Sequence, residues 1–72
     1  MKEKLRNLVR SLAQRHYSTD TILRAILLTT QTEKTEKVID ELITVIEQTA
    51  NEKELCLEIE KMEEKYENRY SN

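Results

Sequence analysis

Two side chains here are of kinds that nucleophilic or metal chemistry relies on, His16 and Cys56, the only histidine and the only cysteine in 72 residues. Catalytic zinc takes three protein ligands and structural zinc four. The pair falls short of either, and no Glu stands three residues before His16 as in a di-iron bundle. We therefore expect no metal site. Cys56 would need a base or a helix N-terminus to become a thiolate nucleophile. It lies among Glu54, Glu58 and Glu60, which disfavour the anion, and reads as a semi-buried thiol. The fourteen carboxylates alternate with lysines along what read as helix faces. General acid–base work needs one of them desolvated in a pocket, so they read as solvated surface. Glycine is absent, which removes Gly-rich loops that cradle phosphates. The expectation is a protein that is not an enzyme, has no catalytic residues, cofactor or small-molecule substrate, and works by binding another macromolecule.

The elements that would carry such binding are helices. The apolar residues are mostly Leu, Ile and Val, the aromatics are Tyr17, Tyr66 and Tyr70 alone, and proline is absent along with glycine. Two-residue hairpin turns lose their usual residues, which argues against a β-rich fold. Leu5, Leu8, Val9, Leu12, Ala13 and His16 recur at helical spacing, so His16 is expected to pack or cap at the end of a first helix. Ser18, Thr19 and Asp20 are capping residues that open a second, whose apolar stripe reads Ile22, Leu23, Ile26 and Leu27. The two stripes are nearly in phase, and only the capping cluster separates them. Thr32 or Thr35 caps a third helix through Val38, Ile39, Leu42, Ile43 and Ile46. Advancing about 100° per residue, its apolar face points almost opposite to that of Leu55, Ile59, Met62 and Tyr66. A chain break is therefore expected near 49–54, with Asn51-Glu52-Lys53-Glu54 as the start of a fourth helix.

The fold expected is all-α, one domain over 1–72, a small antiparallel four-helix bundle with helices at about 2–16, 19–29, 33–49 and 52–68. A core this small gains from further burial in an oligomer, so a homodimer is expected. Leu55, Ile59, Met62 and Tyr66 form a seam at 4-3-4 spacing. Either it packs inside the bundle, or, with Tyr70, it serves as a protein interface. Leu28 and Leu57 fall off their helices' stripes.

Charge divides the chain. Residues 1–34 hold seven Lys or Arg against three acids, and residues 35–72 five against eleven. The basic first helix is expected to lie near the acidic last one, within a protomer or across a dimer. The alternative is a nucleic-acid contact through Lys2, Lys4, Arg6, Arg10 and Arg15. A helix-turn-helix reader fits poorly, because a third helix starting Thr32-Glu33-Lys34-Thr35-Glu36-Lys37 offers acids to phosphate and no arginine to guanine. A lone cysteine points to a reducing compartment, the cytoplasm. No run suits a membrane span, and Met1 leads into a charged amphipathic segment rather than a signal sequence. Composition rich in Glu, Lys, Ile, Thr and Asn is compatible with a small bacterial or phage protein.

Overall fold

The structure, a computed structural model, describes residues 2–67. Four helices follow in order: α1 (Lys2–Gln14), α2 (Thr19–Thr30), α3 (Thr35–Gln48) and α4 (Glu52–Glu67). This is the all-helical four-helix bundle expected, with each end set by local chemistry.

α1 stops two residues early. Tyr17 N–H donates to the Leu12 carbonyl and His16 N–H to the Ala13 carbonyl, the crossed pair of a Schellman cap. His16 holds the left-handed position at φ 59°. That place usually falls to glycine, and here a histidine takes it for want of one. His16 is exposed, so it caps through its backbone and does not pack on the stripe. Tyr17 turns back onto the core instead. The break between α1 and α2 is thus real, and Ser18 opens α2 by accepting from Thr21 N–H at 3.3 Å.

α3 begins at Thr35 rather than near 33, and its N-cap is neither Thr32 nor Thr35 but Lys34, which makes no side-chain cap. Thr32 Oγ1 instead accepts from Lys34 N–H at 3.1 Å, a local turn that competes with helix. α4 opens as its sequence implies. Asn51 Oδ1 accepts from Glu54 N–H at 2.9 Å, while Glu54 reaches back to accept from Ala50 N–H at 2.9 Å.

One core runs through all four helices: Leu8 and Leu12, Ala25 and Leu28, Val38, Ile39, Leu42 and Ile46, then Leu55, Ile59, Met62 and Tyr66. Each of α1 and α4 packs on both α2 and α3, and among the described residues α1 and α4 do not meet. The section is a rhombus with α2 and α3 across its short diagonal. This corrects one expectation: the basic and acidic helices are not neighbours within the chain. Lys4 of α1 instead finds its acids on α3, Asp40 at 3.1 Å and Glu36 at 4.0 Å.

The second correction concerns α2. Its buried residues are Thr21, Ala25, Leu28 and Thr29, so Leu28 is core, while Leu23 and Leu27 of the expected stripe are 51% and 56% exposed. The packed face of α2 is built mostly of small residues, Thr21, Ala25 and Thr29, that let backbones approach, with Leu28 as its one large side chain, and Leu23 and Leu27 are left outside. The buried threonines are satisfied, Thr29 by donating to the Ile26 carbonyl at 2.6 Å. Among the described residues, no buried side-chain nitrogen or oxygen lacks a hydrogen-bond partner.

Candidate functional site

Leu55, Ile59, Met62 and Tyr66 are buried by the chain itself, at 0%, 0%, 3% and 8% exposure. Their 4-3-4 seam is the fourth wall of the core, so these four are not available to a partner. Tyr70 lies outside the described residues. The Tyr66 hydroxyl ends the seam by donating to Glu41 Oε1 at 2.6 Å. Burial, with that carboxylate alongside, raises the tyrosine above its ordinary value. Lys65 leans over the ring, 5.1 Å from its centre, and reaches Glu41 at 3.3 Å. These contacts anchor the end of α4 to the middle of α3.

Two further contacts tie α4 to α2. Glu52 Oε2 accepts from Ser18 N–H at 3.1 Å, from Ser18 Oγ at 2.7 Å and from the Thr21 hydroxyl. Hydrogen bonds from Thr21 and Ser18 hold its carboxyl below the ordinary range. Farther along, Arg24 forks onto Glu63, Nε to Oε2 at 2.8 Å and Nη2 to Oε1 at 2.7 Å. That pairing lowers the Glu63 carboxyl and raises the guanidinium. Both contacts advance from N- to C-terminus on each helix, so α2 and α4 run parallel. Cys56 Sγ sits 3.6 Å from the Thr21 hydroxyl, a structural neighbour in this seam. Among the described residues, no group of three or more His, Cys, Asp or Glu is placed to hold a metal ion, and no helix is long and apolar enough to cross a membrane.

The basic residues of α1 separate into two sets. Lys4 is spent on α3, and Arg15 lies at the helix end, 3.5 Å from the Ser11 carbonyl. Lys2, Arg6 and Arg10 stand exposed at i, i+4 and i+8, one ridge on the outer surface. Lys4 marks the flank of α1 that meets α3. The opposite flank carries Val9, half-buried and outside the core, and turns toward α2.

Leu23 and Leu27 lie one turn apart on the outermost line of α2, with half-buried Ile26 on the α1 side. Leu23 and Leu27 are 51% and 56% exposed, and with Ile26 they make a short apolar strip on the outer side of α2. Comparison with known proteins assigns no relative. No family model, no curated protein and no solved structure matches this chain. The strip therefore has to be read from its own chemistry. A groove between α3 and α4, about 390 Å³, is lined by Val45, Thr49, Leu57 and the charged Glu54, Glu58 and Lys61. Leu57 is 53% exposed at its rim.

The strip escaped the sequence because Leu23 and Leu27 share the helical phase of an ordinary buried stripe. The signal that pointed the other way was Thr21, Ala25 and Thr29, a small-residue face at i, i+4 and i+8 suited to close helix contact.

Proposed function

We propose that the protein is a non-enzymatic binding or regulatory module whose protein interface is the outward face of α2, centred on Leu23 and Leu27. The observation that carries this reading is the position of two leucines, each more than half exposed, one turn apart on a helix that packs against all three others. Single exposed apolar residues are ordinary, but exposed leucines side by side on one helix face suit a contact surface. Inhibitor, immunity and accessory factors are members of this class, and the single cysteine agrees with work in the cytoplasm.

The test is a photoreactive amino acid placed in turn at positions 23, 27 and 47 and activated in the native host cell. Discrete adducts from 23 and 27, absent from 47 on the outer side of α3, support the reading. Adducts that do not depend on position, or none from 23 and 27, overturn it.

A second reading rests on the ridge of Lys2, Arg6 and Arg10, which would suit a nucleic-acid backbone. It predicts retention on duplex DNA or RNA that falls steeply with salt and disappears on charge reversal at Arg6 and Arg10. Retention that is insensitive to salt rejects it.

A further inference from the structure

We infer that the occupant of the α2 face is a second copy of this chain, related by a two-fold axis parallel to α2, so that α1 of each protomer lies over α4 of the other. This rests on the reading of Leu23 and Leu27 as an interface and adds its partner and its geometry.

Charge argues for the geometry. α1 carries Lys2, Lys4, Arg6 and Arg10 against Glu3 alone, while α4 carries seven carboxylates against three lysines. The two helices flank α2 on opposite sides without touching. Lys4 pairs with α3, and Glu52, Glu54, Glu58 and Glu63 are engaged within the protomer. This leaves the exposed Lys2, Arg6 and Arg10 on α1 and the exposed Glu60 and Glu64 on α4 as the charges that meet across this face. Two symmetric ways exist to set one α2 face on another. An axis running across the helices stacks α1 on α1 and α4 on α4, like charge on like. An axis parallel to α2 stacks α1 on the partner subunit's α4, on both sides at once.

Height along the bundle agrees with the second arrangement. The link between α1 and α2 covers 15–18, and counting outward from its middle sets Arg10 level with Leu23 and Arg6 level with Leu27. On α4, Glu60 stands between Cys56, which meets Thr21, and Glu63, which meets Arg24, and so lies near the same level. A parallel two-fold preserves height, and it therefore brings the arginine ridge of one copy to the exposed Glu60–Glu64 ridge of the other. Helices in contact are ~8–10 Å apart, which leaves α1 and the opposite α4 roughly 20 Å apart across the ridge. Extended arginine and glutamate side chains span that distance as rim pairs. A standard interface takes ~800 Å² per partner, about a sixth of the 4958 Å² surface of this chain.

The experiment is a charge-swap pair. One variant carries Arg6→Glu with Arg10→Glu, the other Glu60→Lys with Glu64→Lys, all at exposed positions, with helicity checked by circular dichroism. Sedimentation of the wild-type chain should show a dimer forming on the order of 10 μM. Each variant alone juxtaposes like charges at both rims and should dimerise at least about tenfold more weakly. Mixed in equal amounts, the two should form a heterodimer close to wild-type strength, because both rims then carry opposite charges. A wild-type chain that stays monomeric to about 1 mM, or a mixture no better than either variant, overturns the inference. The adducts from position 23 separate this failure from that of the underlying reading. A mass of twice the chain agrees with a second copy, whereas a different mass removes the copy and leaves the α2 interface standing.

Discussion

The carboxylate of Glu52, in the first turn of α4, closes the N-terminus of α2 by accepting from both the backbone N–H and the hydroxyl of Ser18, at 3.1 and 2.7 Å. Residues 34 apart in the chain thus share one helix cap, and the local cap of Ser18 on Thr21 N–H becomes a tertiary joint.

This joint predicts a pH dependence. Bonds from Thr21 and Ser18 hold Glu52 below the ordinary 4.5, and the Arg24 fork holds Glu63 below it too. A group depressed in the folded state contributes stability above its unfolded value and loses it as pH falls through the folded one. Urea midpoints should therefore fall on acidification below about pH 4.5, with a shallower slope in Glu52→Gln. Ser18→Ala should cost about 1 kcal/mol at neutral pH. An unchanged acid slope in Glu52→Gln would show that the joint holds no folding free energy.

The histidine at φ 59° is expected to be costly. His16→Gly removes the Cβ clash at the left-handed position and should stabilise the fold by about 1 kcal/mol, a rise in Tm of about 4–8 °C. His16→Ala keeps the clash and serves as the control. Equal melting temperatures for the glycine and alanine variants would contradict a backbone role.

Arg24 and Glu63 share two parallel hydrogen bonds that only a guanidinium can supply. Arg24→Lys should therefore weaken the fold by about 0.5–1 kcal/mol, a figure kept small because the arginine is 38% exposed and water screens the pair. A double-mutant cycle with Glu63→Gln should return most of that as coupling energy. Zero coupling would reduce the fork to an incidental surface contact.

The two leucine classes of α2 separate cleanly in thermal unfolding of dilute protein. Leu28→Ala, at a site 1% exposed, should cost about 2–5 kcal/mol through lost burial and the cavity left behind. Leu23→Asp should change stability by no more than about 0.5 kcal/mol. The reverse order would restore Ile22, Leu23, Ile26 and Leu27 as the buried stripe.

Absent glycine and proline, aliphatic spacing and the capping residues Ser18 and Asn51 determined by themselves that this chain is four helices, and they located the breaks before Thr19 and before Glu52. These are local properties, since a cap or a helical period is decided within one or two turns. Only the tertiary structure decided which side of each helix is inside. On α4 the seam of Leu55, Ile59, Met62 and Tyr66 needed a cover, and α2 and α3 supply it within the chain. On α2 the apolar phase pointed to Leu23 and Leu27, yet the face that packs is Thr21, Ala25, Leu28 and Thr29, whose small members let the neighbouring helices approach closely. Charge is decided the same way. Whether Lys4 faces an acid, and whether α1 meets α4, depends on how helices are arranged around α2 and α3, an arrangement that no single helix encodes.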